Sequence, residues 1–215
     1  MRVFWLAAIL VACIGGSTRS ESTKAADCAS GDQNACYAQA RELYKTGKDL
    51  QHAADLLRQA CQSGVPAACG DMAAHLAKGE GVQKDERKAF LYYSMGAAGG
   101  DPLCAANAGL MMMQGQSGAK PDMGEAERLM TKGCDGKLDW ACVNLAIAYT
   151  KGSFGTPDLT RALAAFEKAC SLGNGNACWV ASEMSRKGQG TEPDPSRAAS
   201  LEKKACDLGF KKACG

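Results

Sequence analysis

Small and apolar residues recur along this chain at helical spacing. Cys142, Leu145, Ala146 and Tyr149 fall at i, i+3, i+4 and i+7, the pattern of a helix buried along one face. No run of β-branched residues suggests a strand. A longer period lies over the helical one. Ala53, Ala89, Ala126, Ala162 and Ala198 are separated by 36, 37, 36 and 36 residues. Four residues before each stands an aspartate: Asp49, Asp85, Asp122, Asp158 and Asp194. Eight residues after each stands Cys61, Ala97, Cys134, Cys170 or Cys206.

This register predicts one helix per repeat, here termed B, with the aspartate as N-cap and a stop at a cysteine–glycine turn. An N-cap carboxylate accepts from the unpaired N–H groups of the first turn, worth about 1 kcal/mol. Pro195 follows Asp194 where a missing donor costs nothing. Glu125, three residues after Asp122, suits a capping box. The partner helix, A, is expected to start around the second cysteine of each pair and to end at Gly47, Gly79, Gly115, Gly152 or Gly188. Two-helix units of this length cannot bury their own apolar faces and must stack on neighbours. The fold class is therefore all-α: an α/α superhelix, or solenoid, of about five hairpins. A truncated sixth helix A begins at Phe210.

Cysteine sharpens the picture, with twelve in 215 residues. Ten form five pairs with seven residues between: Cys28/Cys36, Cys61/Cys69, Cys134/Cys142, Cys170/Cys178 and Cys206/Cys214. Eight positions along one helix put Cα atoms about 12 Å apart, and a disulfide needs them within about 7 Å, so the chain must reverse inside each pair. Gly31, Gly64, Gly173 and Gly209 stand three residues after the first cysteine, and Gly136 two after Cys134, where a helix C-cap needs positive φ. Each pair reads as a staple between the end of one helix and the start of the next. Zinc knuckles and C-x-x-C redox motifs are absent, and His52 and His75 are the only histidines, on different elements. Neither a metal nor a cofactor is called for. Cys104 is the odd cysteine. It is either buried and inert, the source of an intermolecular or mixed disulfide joining two copies, or a redox-active thiol.

The address comes from the N-terminus. Arg2 precedes an apolar run from Val3 to Ala12, half the length needed to cross a bilayer, and a polar stretch follows. Leu10-Val11-Ala12-Cys13 resembles the cleavage site of bacterial lipoproteins. That resemblance implies a signal peptide over 1–12, a lipidated Cys13, a tether to residue 26 and the solenoid from 27 to 215. It places the protein in the bacterial envelope, anchored at the outer membrane and facing the periplasm, with plain secretion as the alternative. The formal charge of +2 gives no electrostatic reason to expect nucleic acid as a partner.

Three groups of residues carry a family resemblance: Gly79-x-Gly81-Val82-x-Lys84-Asp85-x-x-Lys88-Ala89, Lys168-Ala169-Cys170-x-x-Gly173 with Ala177-Cys178, and Ala205-Cys206-x-x-Gly209. They resemble Sel1-like repeats, relatives of tetratricopeptide repeats, and more specifically the secreted cysteine-rich subclass called Hcp-like β-lactamases. Repeat one departs by lacking the full Gly-x-Gly loop, and repeat three by lacking a cysteine before Cys104. The subclass implies β-lactam binding or hydrolysis. Ser117/Lys120 and Ser200/Lys203 match Ser-x-x-Lys, and Lys45-Thr46-Gly47 matches the third motif of such enzymes, but no Ser-Asp-Asn exists. No catalytic residue is named on that basis.

Solenoids of paired helices bind through grooves lined by helix A. Tyr37, Asp71, His75, Asn107, Asn144 and Glu183 are the candidate lining residues by their polar or aromatic character. Trp140 and Trp179 read as wedges between hairpins, and the triplet Met111-Met112-Met113 as part core. The function expected is an envelope-anchored module for binding a protein or peptide. A binder of β-lactams or peptidoglycan fragments, or a weak β-lactamase, is the alternative.

Overall fold

A computed structural model describes residues 28–118 and 120–215, and the signal peptide, Cys13 and the tether lie outside them. The described residues form ten α-helices in five antiparallel hairpins. The A helices are α1 (Gln33–Thr46), α3 (Pro66–Lys78), α5 (Pro102–Met113), α7 (Asp139–Lys151) and α9 (Gly175–Lys187). The B helices are α2 (Leu50–Gln62), α4 (Glu86–Ala98), α6 (Met123–Asp135), α8 (Leu159–Ser171) and α10 (Pro195–Asp207). Single 3₁₀ turns stand at either end, Cys28–Ser30 and Lys211–Ala213. The all-α solenoid read from the repeat is the fold observed.

The aspartate register works as its chemistry dictates. Asp49, Asp85, Asp122, Asp158 and Asp194 each accept a hydrogen bond from the backbone N–H three residues on. The capping box does not form. Asp122 accepts from the Glu125 N–H, but the Glu125 carboxylate turns to Arg128, at 2.6 and 2.7 Å. An arginine one turn on offers two charge-assisted donors, against one neutral N–H at the cap.

Helix A starts three residues before the second cysteine of each pair, not at it. Its N-caps are Asp32, Val65, Asp101, Leu138 and Asn174. The cysteine thus sits inside the first turn, close to the end of the preceding helix B. The sixth helix A shortens to the 3₁₀ turn Lys211–Ala213. The five staples hold Cα atoms 4.3–4.9 Å apart: Cys28–Cys36, Cys61–Cys69, Cys134–Cys142, Cys170–Cys178 and Cys206–Cys214.

At the Cys134 turn the positive φ falls on Lys137 (φ 66°), while Gly136 has φ −72°. Gly136 serves a different need. A Cβ there would lie 2.2 Å from Cβ of Pro102, so its bare backbone lets α6 approach the start of α5. The left-handed region costs a side-chain-bearing residue roughly 1–2 kcal/mol, and glycine forfeits part of that in unfolded-state entropy. Lys137→Gly is therefore expected to stabilise the protein by up to about 1 kcal/mol. Urea denaturation checks it; a destabilised variant would show that the lysine stem packs.

Alanine and cysteine dominate the core. One cluster runs from α1 to α6 and includes Leu57, Met72 and Leu129, and a second runs from α5 to α9 and includes Met130, Leu145 and Phe166. A small third cluster packs Trp179 and Phe210 around the last staple. Trp140 is half-buried against the second cluster and Trp179 lies 6.0 Å from Phe210, so both fill space between elements. Met111 is buried, and Met112 and Met113 pack at core edges. Ion pairs step from one B helix to the next, Glu127–Arg161 and Asp135–Lys168 from α6 to α8 and Glu167–Arg197 from α8 to α10. Exposed pairs of this kind contribute about 0–1 kcal/mol each, so they tune rather than carry the stacking.

Candidate functional site

The A helices stand side by side, so residues at one register form rows across the solenoid. Asp71, Asn107 and Asn144 occupy the same register on α3, α5 and α7, all half-buried. The Asn107 and Asn144 side chains each donate to the carbonyl one turn back, on Leu103 and Trp140, at 2.9 Å. The amide is thereby fixed in orientation, and no described residue donates to either side-chain oxygen. At the equivalent place on α9 stands Val180. Glu183 lies one turn further along, engaged with Arg186 and Lys187.

The first two A helices carry a denser cluster. Tyr37 donates its hydroxyl to Asp71 at 3.0 Å, and Arg41 reaches the same carboxylate at 3.8 Å. Burial, and then the Asp71 charge, push the Tyr37 phenol up to about 12, so it remains a donor at any physiological pH. His75 stacks on Tyr44 with ring centroids 3.4 Å apart, and its Nδ1 lies 3.1 Å from Glu80. Burial lowers the His75 pKa against the opposing pull of Glu80, which favours the neutral ring. Tyr37, Asp71 and His75 are thus brought together, with Arg41, Tyr44 and Glu80 as partners that polar character alone did not single out. His52 is exposed on α2, away from this cluster.

Farther along, α7, α8 and α9 enclose an apolar cleft of about 250 Å³. Ile147, Leu159, Phe166, Val180 and Met184 form its walls, and Thr150, Lys151 and Gln189 stand with them. Sequence reading missed this site because apolar residues on helix A look like core. Aligning the repeats position by position is the signal that finds it.

Cys104 is the one free cysteine among the described residues, and it is fully buried. Burial, with Asp101 adding to it, pushes its thiol well above the ordinary range. A disulfide between copies through this sulfur requires the α4–α5 junction to open. Its volume is accommodated by Gly96: a Cβ there would lie 2.4 Å from the sulfur. The equivalent pairs elsewhere are Ala60·Ala68, Gly133·Ala141, Ala169·Ala177 and Ala205·Ala213. The positions that carry staples at the other junctions are here Ala97 and Ala105, both buried.

The motifs that suggested β-lactam chemistry do not assemble. Lys45, Thr46 and Gly47 end α1, where the Thr46 hydroxyl donates to helix carbonyls and Gly47 is the C-cap. Ser117 lies between α5 and α6. Ser200 is exposed on α10, where Lys203 pairs with Asp207. These sites belong to three different hairpins, and no strand edge exists among the described residues to present the lysine motif. Among the same residues no group of three or more His, Cys, Asp or Glu could hold a metal ion, and no helix is long and apolar enough to cross a membrane.

Comparison with known proteins follows the repeat. The family model described as Sel1 repeat matches residues 33–65, 66–101, 102–137, 141–174 and 176–210. A cytochrome c oxidase assembly factor 7 of Xenopus tropicalis is 33% identical over 147 residues, 65% of this chain and 63% of that protein. The chain thus spans less than two thirds of that relative's length. Among solved structures, a protective antigen of uropathogenic Escherichia coli with an SLR fold superposes with a TM-score of 0.79 at 20% identity, covering 86% of this chain and 40% of that one. A Sel1 repeat protein from Oxalobacter formigenes gives 0.71 at 24% identity, covering 86% and 54%. The β-lactamase-like part of the sequence resemblance is therefore corrected: the match is to an all-α repeat, and the motifs fall separately in a loop, at a helix end and on an exposed helix face.

Proposed function

Because the chain belongs to the Sel1-repeat family, we propose that it is a protein-interaction scaffold held at a bacterial envelope by a lipid on Cys13. The observation that carries the interaction reading is the row Asp71, Asn107 and Asn144. Three successive A helices present oriented, half-exposed polar groups at one register, and the two amide oxygens have no partner among the described residues. An extended polypeptide laid across the A helices would offer backbone N–H groups to such acceptors. The Xenopus relative is named for assembly of another enzyme, which supports a role in holding other proteins. The anchor rests on Arg2, the apolar run and the Leu10–Cys13 tetrapeptide. A diacylglycerol and a further acyl chain would hold the protein stably, where a single chain would not.

One experiment tests both halves. A photo-cross-linking residue is placed at Asn107 or at the exposed Ser200 of α10, in cells fed an alkyne-tagged fatty acid. A discrete adduct at Asn107 and none at Ser200 is expected, with the acyl tag lost in Cys13→Ser. Equal adducts at both positions would contradict use of the A-helix face. A tag that survives Cys13→Ser would remove the anchor.

A further inference from the structure

The cleft between α7, α8 and α9 has a counterpart between α1, α2 and α3, and the two differ in one instructive way. Counting from the first residue of each helix, Thr150 corresponds to Tyr44, Met184 to His75, Ile147 to Arg41 and Val180 to Asp71. In the first hairpins these positions satisfy one another: the Tyr44–His75 stack occupies the space and Arg41 pairs with Asp71. Farther along, the same positions hold a threonine and three apolar side chains, and about 250 Å³ stays open.

The charge around the opening is one-sided. Lys45, Lys78 and Lys187 share the register of Lys151 at the ends of their A helices, and each has a carboxylate partner, Glu42, Glu80 and Glu183. The Lys151 side chain has no ion pair or hydrogen bond among the described residues. Lys45, the counterpart of Lys151 on α1, pairs with Glu42, and the matching place on α7 is Ala148, so that carboxylate is missing here. Gln189 stands where Glu80 stands in the earlier hairpin and offers an amide instead of a charge. No acidic residue lines the cleft. The nearby carboxylates are occupied: Asp158 by Arg161, and Glu183 by Arg186 and Lys187.

An apolar recess with one unneutralised ammonium and an amide donor beside it suits a ligand with a short apolar body and an anionic head. We propose that the cleft receives the C-terminal residue of a partner polypeptide, an apolar side chain filling the recess and the terminal carboxylate meeting Lys151 and Gln189. The volume matches one large apolar residue rather than a long acyl chain, and the open side lets the rest of the polypeptide leave across the A helices. This deepens the interaction reading above and rests on it.

The test uses fluorescein-labelled hexapeptides ending in Leu, Ile, Met or Phe, each as free acid and as C-terminal amide, titrated against the full chain by anisotropy. At least one free acid is expected to bind, with its amide at least tenfold weaker. Lys151→Met should weaken the acid by about tenfold and leave the amide unchanged, a charge-specific split. Thr150→Tyr with Met184→His, which copies the filled site of the first hairpins, should abolish binding while keeping the helical circular dichroism of the parent. The proposal is overturned if no free acid binds, if acid and amide bind alike, or if the filled variant binds as the parent does. Binding of octanoate with no binding of any peptide would also overturn it, in favour of a small amphipathic acid. The Asn107 photo-adduct keeps the two readings apart: its survival in the filled variant, with no peptide binding, leaves the scaffold standing and removes the cleft's role.

Discussion

Replacing Cys134 and Cys142 together by alanine is expected to destabilise the protein by about 2.6 kcal/mol, the chain-entropy value for a loop of about nine residues. Both sulfurs are buried, so lost packing adds to that figure. The staple joins α6 to α7, within the core cluster spanning α5–α9. A solenoid holds together through contacts between neighbouring repeats, so weakening one junction weakens coupling between the parts on either side. The expected signature is a lower urea midpoint and a broadened or two-step transition. Each inter-helix ion pair, at about 0–1 kcal/mol, is too weak to compensate. An unchanged midpoint would show that helix packing alone holds this junction.

The converse experiment adds a staple. Ala97 and Ala105 stand where every other junction carries its disulfide, so Ala97→Cys with Ala105→Cys should close a sixth. Cys104 lies beside Ala105, and the background Cys104→Ala removes a competing thiol. The new bridge is expected to add about 2–3 kcal/mol on the same loop-closure argument, net of any strain. Urea denaturation of the oxidised and reduced forms measures the gain. Two free thiols in the oxidised protein, or a bridge that brings no stability, would show that this junction differs in geometry from the other five.

The missing staple has a structural reason. The sulfur is displaced by one residue, onto Cys104, and the bare backbones of Gly96 and Gly70 leave room for it. What remains is a buried thiol filling volume, in a place where burial and Asp101 both disfavour the thiolate.

Much of the fold was legible because two local signals repeat. The aspartate caps set the starts of the B helices, and the cysteine spacing forced a reversal between B and the next A. The starts of the A helices were legible only in part, since Val65 and Leu138 carry no capping side chain and Pro66 starts α3 by its fixed φ instead. Lys137 shows the limit of reading glycines: the residue at positive φ is a lysine, and the neighbouring glycine answers to Pro102 of an earlier helix, a contact no local pattern encodes. The binding face divides likewise. Asp71, Asn107 and Asn144 are conspicuous as polar residues on apolar helices. Tyr44 and Glu80 gain meaning only through His75. Ile147, Val180 and Met184 read as core, because the recess they leave depends on smaller or uncharged side chains at matching positions on two helices distant in sequence.

Peptide mapping without reduction, after alkylating the native protein, bears most directly on the stapled solenoid. Within residues 28–215 it should return five linked pairs, each eight positions apart, with Cys104 modified only after denaturation. Links that cross between pairs, or rapid alkylation of Cys104 in the native protein, would contradict it.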